Sequence, residues 1–355
     1  MSPFTVQSAL KGDIHLPTIL FAKMDAYIKY LEYYLPQKTV SNNDLQQVFP
    51  EWDATKVAKK TGIEFRHQSA ENETACDMAV SVCEKLFAKH PEVKATIDFI
   101  LLCTQSPDFK LPTSACLIQD RLGLPNSVGA LDFNLGCSGW VYGLSLAKGL
   151  LCTHIASNVL LITSETYTKY FHPKDKGNIS LFGDGAAATV VSNAGFAAIG
   201  EFALGTDGSG ENNLKVKTGG ARFQKPLNEV TVDDNGYILA SDYLYMNGPA
   251  IFNFTLETVP SLLEQCLAKN GLHDMADFYI LHQANKFMLD TLRKICGIPK
   301  DRFYVDMQNT ANTVSSTIPI ALKDALDKNL VHKGDRVCTA GFGVGYSYGA
   351  CVLDF

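Results

Sequence analysis

Three polar residues interrupt apolar stretches of this chain where chemistry could be done: Cys137, His282 and Asn312. Cys137 follows the strand-like VGALDFNLG and opens a small-residue helical pattern, CSGWVYGLSLAKGLLCT. Its thiol would lie beside the unpaired N–H groups and positive end of a helix, which favours the thiolate. Gly136 and Gly139 permit the sharp strand-to-helix corner that presents a nucleophile. A buried thiol at a tight corner reads the same way. His282 closes the apolar FYIL and precedes the polar QAN, and strand carboxyl ends are where open α/β sheets bind ligands. A histidine satisfied by a backbone carbonyl has the same signature. Asn312 lies in NTANTVSSTIPIAL, whose Asn, Thr and Ser are also ordinary loop and cap residues. FGDGA at 182–186 and GFGVG at 341–345 read as glycine turns whose N–H groups can face a ligand.

The elements that must position these groups belong to a chain of 355 residues, enough for one large domain or two ordinary ones. With 46% apolar and 19% charged residues and no low-complexity stretch, disorder, collagen and coiled coil are excluded. The net charge of −6 disfavours a whole-surface role on nucleic acid or anionic membrane. No apolar run approaches the roughly 20 residues that cross a bilayer, and the N-terminal sequence lacks secretory features, so a cytoplasmic protein is expected. The ten cysteines include no C-x-x-C pair, so metal-ribbon and thioredoxin readings fail and reduced core thiols are expected.

Residues 1–24 are weakly periodic and read as an arm. A half-buried strand follows from Ala26, then a helix over 74–89, a buried strand at 97–103, a helix over 113–122 and a strand at 128–136. The helix opened by Cys137 leads to a strand at 158–163. Two further strands, 181–193 and 196–204, are expected to be neighbours. Asn247 caps a long helix to about Asn270; a strand at 278–282, a helix ending at Gly297 and two strands around GFGVG finish the chain. This alternation predicts an α/β duplication, with halves at 25–195 and 196–355 sharing one core.

Taken together, LGCSGW, LHQAN, NTANTVSS, FGDGA, GFGVGYSYG and KKTGIEFRH resemble the thiolase-fold condensing enzymes, most closely the β-ketoacyl-acyl-carrier-protein synthase III family, from about residue 25 onward. The resemblance implies an αβαβα sandwich of two pseudo-duplicated halves, a homodimer, and catalysis by Cys137, His282 and Asn312. The implied reaction is a decarboxylating Claisen condensation: an acyl group held on Cys137 joins a malonyl-acyl-carrier-protein to give a 3-oxoacyl-acyl-carrier-protein, in fatty acid or polyketide synthesis. No metal or redox cofactor is implied. The N–H groups of Cys137 and Val344 would form an oxyanion site. Leu111, Phe182, Gly343 and Gly345 would line the substrate pocket, with Leu111 crossing a dimer interface. Lys60, Lys176, Lys286, Arg293 and Lys294 would meet the carrier protein or a coenzyme A nucleotide.

Several positions depart from the family pattern. Val344 stands where a further glycine is usual, so its N–H serves only if the turn keeps negative φ. Lys56 replaces an adenine-stacking tryptophan, Lys60 and Lys176 replace arginines, and Phe287 stands where an arginine is usual. Lysine lacks the planar fork, which makes a carrier-protein donor the firmer expectation than coenzyme A. The alternatives weighed are a thiolase-fold acyltransferase or non-decarboxylating synthase, a papain-like cysteine hydrolase and a non-catalytic partner subunit. The last usually lacks the cysteine that this chain keeps.

Overall fold

Continuous apolar runs such as FILLC and NVLLIT imply strands covered on both faces, and the computed structural model, which describes residues 25–232 and 238–355, builds its architecture from them. The expected arm at 1–24 lies outside the described residues. Nine strands form one mixed sheet: β1 (Tyr27–Tyr34), β2 (Phe99–Cys103), β3 (Gly129–Phe133), β4 (Asn158–Glu165), β5 (Gly185–Ser192), β6 (Ala197–Thr206), β7 (Phe278–Leu281), β8 (Arg336–Gly343) and β9 (Ser347–Asp354). Their order is β7-β8-β9-β6-β1-β5-β4-β2-β3.

That order repeats one pattern twice. In the first half β2 is parallel to β3 and β4, β4 is antiparallel to β5, and β5 to β1. In the second half β7 is parallel to β8, β8 antiparallel to β9, and β9 to β6. A single parallel bridge, Tyr279 to Phe303, stands where β3 would be. The halves join at a narrow antiparallel seam, Tyr27 opposite Ala198 and Ile28 opposite Ala197.

The expected adjacency of the strands near 181–193 and 196–204 is therefore corrected: β1 intervenes between β5 and β6. The four residues separating those strands are too few to signal an interposed strand, because the pairing partner comes from the other end of the half.

The helices that matter here are α1 (Ala54–Thr61), α2 (Ala75–Lys89), α3 (Ser114–Arg121), α4 (Gly139–Cys152), α5 (Gly248–Lys269), α6 (Lys286–Ile295) and α7 (Thr317–Asp327). Alternate strand residues face different layers, as a period of two demands. Leu101, Val159 and Leu161 pack with Trp140 and Leu144 of α4 and Ile318 and Leu322 of α7, together with Ile280 and Val337 of the second half. Ile100, Leu102, Leu160 and Ile162 face α2 and α3 instead. On the far side, Tyr279 and Leu281 face α5 and α6. The result is α2/α3, half-sheet, α4/α7, half-sheet, α5/α6, with both central helices starting near the same end. Among the described residues, no helix is long and apolar enough to cross a membrane, and no group of three or more His, Cys, Asp or Glu is placed to hold a metal.

Candidate active site

The corner after β3 is tight: the Gly139 N–H donates to the Gly136 carbonyl at 2.8 Å, and α4 begins two residues after Cys137. Cys137 is buried. Its sulfur receives its own N–H and the N–H of Val344. Val344 is absent from the positive-φ residues, so valine in this turn still offers its N–H. The close approach needs glycine at two points. A Cβ on Gly343 would lie 2.9 Å from Cys137 Sγ, and one on Gly136 would lie 2.5 Å from Val344 Cγ1.

The thiolate expected from the helix terminus is corrected by these surroundings. Burial, with the charge of Glu165 second, pushes the Cys137 thiol up to about 12, against the lowering effect of the two N–H groups. Desolvation outweighs the helix end, and Cys137 rests as a thiol at neutral pH.

His282 sits one residue beyond β7, its N–H donating to the Ala340 carbonyl at 2.8 Å. Its ring meets the Phe342 ring edge-on, with centroids 5.8 Å apart. Phe342 lies between Gly341 and Gly343, both of which abut Cys137, so β8 brings the imidazole and the sulfur to one place. Burial lowers the His282 pKa to about 3, leaving a neutral ring. Nδ1 lies 2.7 Å from Thr317 Oγ1. The Val314 carbonyl, with two lone pairs, accepts both the Thr317 N–H and that hydroxyl, the latter at 3.1 Å. Donation from Nε2 requires the tautomer in which Thr317 turns its hydroxyl proton to Nδ1 instead.

Asn312 is held from three sides. Its N–H donates to the Leu181 carbonyl and its carbonyl accepts from Gly183, each at 3.0 Å, while its Oδ1 accepts the Val314 N–H at 2.9 Å. The amide oxygen is therefore engaged, and the NH₂ group is the end free to donate. Ala311 and Val314, at φ 59° and 56°, are left-handed without being glycine. Such residues cost about 1–3 kcal/mol each and persist where surrounding contacts over-determine them.

The other expected site residues are distributed unevenly. Phe182 is buried in the cluster that contains Cys137, and Gly343 touches the sulfur. Gly345 is exposed, one residue beyond Val344. Leu111 is 82% exposed on the loop after β2, away from the sulfur's contacts. Lys60, Lys286 and Lys294 are exposed. Lys60 lies in the last turn of α1 close to Lys286, whose Cβ would lie 2.7 Å from a Cβ on Gly62; Lys286 also pairs with Asp290. Lys176 pairs with Glu51, and Arg293 donates to the Ile298 carbonyl at 3.0 Å, so both are engaged within the chain.

Thr317, Glu165, Ser315 and Gln105 were missed by sequence reasoning. Only Glu165 carried a signal, an acid closing the apolar run NVLLITS.

The stacked layers and doubled sheet place the molecule in the thiolase-like class of folds. A family model described as 3-oxoacyl-[acyl-carrier-protein] synthase III matches residues 131–208, and its C-terminal companion matches 267–355. A β-ketoacyl-[acyl-carrier-protein] synthase III from Caldanaerobacter subterraneus is 32% identical over 90% of this chain and 95% of its own length. A crystal structure of a 3-oxoacyl-(acyl-carrier-protein) synthase III superposes with a TM-score of 0.90 at 46% identity, covering 93% of this chain and all of that one. The priming β-ketosynthase of the R1128 polyketide pathway superposes at 0.81 with 25% identity, covering 94% and 97%. The chain belongs to the β-ketoacyl-acyl-carrier-protein synthase III family, and it is a condensing acyltransferase of that type.

Proposed function

We propose that Cys137, His282 and Asn312 carry out the family's decarboxylating condensation in this chain, the nucleophile coming from the 25–195 half and both donors from the 196–355 half. The observation that best supports this is β8: it sets Gly343 against Cys137 Sγ, Phe342 against the His282 ring, and the Val344 N–H on the sulfur.

In the first step Cys137 Sγ attacks an acyl thioester carbonyl. The oxyanion that forms is met by the N–H groups of Cys137 and Val344, and the leaving thiol departs with the proton that Cys137 gives up. In the second step a malonyl thioester loses CO₂. Its carbonyl accepts hydrogen bonds from His282 Nε2–H and the Asn312 NH₂, which stabilise the enolate. The enolate carbon attacks the acyl carbon, the 3-oxoacyl thioester leaves, and Cys137 takes up a proton from solvent. A neutral His282 suits this second role, since a donor is needed there rather than a fixed charge.

The carrier protein docks, in this reading, on the exposed lysines where α1 meets α6, with Lys59, Lys60, Lys286 and Lys294 facing an acidic partner. The chain acts as a cytoplasmic homodimer in which Leu111 reaches the partner's acyl pocket. The exposure of Leu111 and Phe109, beside an edge strand β3 that carries the exposed Leu131, supports this.

Intact-mass measurement after incubation with a panel of acyl thioesters tests the proposal. The acyl mass that appears on the wild type must vanish in Cys137→Ser, and labelled CO₂ must be released from malonyl carrier. Acyl transfer that persists in Cys137→Ser would overturn the assignment.

A further inference from the structure

Glu165 closes β4 and is fully buried, and among the described residues its hydrogen-bond partners are neutral. Its carboxyl reaches into both halves. From the first half, the Gln105 N–H donates to both oxygens at 3.1 and 3.2 Å, and Ser106 Oγ donates to Oε2 at 3.0 Å. From the second half, Ser315 Oγ donates to Oε1 at 3.1 Å. Gln105 in turn lies behind the nucleophile: its Oε1 accepts from Tyr167 Oη at 2.6 Å and would lie 2.8 Å from a Cβ on Gly136. Ser315 follows Asn312 by three residues, directly after the left-handed Val314. Burial raises the carboxyl to about 8 against the lowering effect of these donors, with Cys137, Cys103, Tyr167, Tyr170 and Asp184 as its ionisable neighbours.

We propose that Glu165 is a positioning residue for the decarboxylation step: through Ser315 it fastens the strained turn that orients Asn312 to the loop behind Cys137. The turn holds two residues in a conformation they disfavour, and it keeps that shape because contacts on both sides of it leave no slack. One side is the pairing of Asn312 with Leu181 and Gly183; Glu165 supplies the other, together with Ser316, whose hydroxyl lies 2.8 Å from Thr163 Oγ1. Loosening the second side lets the amide of Asn312 swing while Cys137 and its N–H groups stay in place. The proposal rests on the catalytic reading above, and it predicts a defect confined to one half-reaction.

The test compares Ser315→Ala, Glu165→Gln and the double variant with Asn312→Ala as reference. Labelled CO₂ release from malonyl carrier is read separately from the rate of Cys137 acylation by intact mass. Ser315→Ala is expected to slow CO₂ release about tenfold while acylation stays within about twofold, since small displacements of an oriented group carry costs of this order. Glu165→Gln retains the volume but sets an NH₂ group against donors, and it should show the same split. The double variant should be no slower than the worse single, as for two groups acting through one contact. Equal losses in both half-reactions, or unchanged CO₂ release in Ser315→Ala while Asn312→Ala is crippled, would overturn the clamp. Normal CO₂ release in Asn312→Ala itself would instead remove the catalytic reading, and the clamp with it.

Discussion

The corner holding Cys137 and the segment holding Asn312 work by opposite means. Around the sulfur, shape is set by missing atoms: Gly136, Gly341 and Gly343 let three stretches of backbone converge, and the hydrogen bonds come from main-chain N–H groups. Around the asparagine, shape is set by atoms present: Ala311 and Val314 are held left-handed, and Ser315, Ser316 and Thr317 each spend a hydroxyl on another element. A site made by absence fails when atoms are added. One made by side-chain hydrogen bonds fails when atoms are removed.

The largest expected effect tests the nucleophile itself. Cys137→Ala should lower overall condensation by at least about 10³-fold and remove every acyl adduct seen by mass, because residues acting as one unit lose most of the catalysis together. Next, His282→Ala or Asn312→Ala should cut CO₂ release by about 10² to 10³ while leaving part of the acylation rate, as loss of one preorganised donor does. Addition on the other side of the comparison should give the reverse split. Gly343→Ala puts a carbon 2.9 Å from Sγ and should slow acylation by about 10²-fold, more than it slows CO₂ release. If it slows both equally, the two regions are less separable than described. A smaller effect comes from Thr317→Val, which removes the partner of His282 Nδ1. CO₂ release should fall about tenfold and return in Thr317→Ser, with the His282 tautomer followed by nitrogen NMR.

The smallest effect lies in the pH profile. An ordinary histidine charges below about 6.5, but burial lowers His282 to about 3, so it stays neutral in the folded protein as the pH falls between these values. CO₂ release should show no acid limb near 6.5. Stability should decline from that pH downward, because the unfolded chain takes up the proton that the native ring refuses. A rate limb centred near 6.5 that disappears in His282→Gln would show the ring to be less desolvated than its burial implies.

The two regions were also unequally legible in the sequence. The Cys137 corner is local: a strand, two glycines and a small-residue helix lie within some twenty residues, and the structure sets α4 and β3 close to where that pattern puts them. His282 was visible as a polar break after an apolar strand. Asn312 was not distinguishable from a loop residue except through the family resemblance, because nothing in Ala311 or Val314 announces a positive φ. Its partner Leu181, and Glu165 and Thr163, the partners of Ser315 and Ser316, all lie more than a hundred residues away. The same remoteness hid the insertion of β1 between β5 and β6, and the ionisation of the thiol was misjudged because helix position is readable from sequence whereas desolvation is not.

A sulfur that rests protonated has a further consequence for the idle molecule. Alkylating reagents and peroxides react through the thiolate, so between turnovers Cys137 offers them almost nothing to attack. If Cys137 is the nucleophile proposed here, burial shields it from chemical damage while it idles and leaves it open to attack only while a substrate draws off its proton.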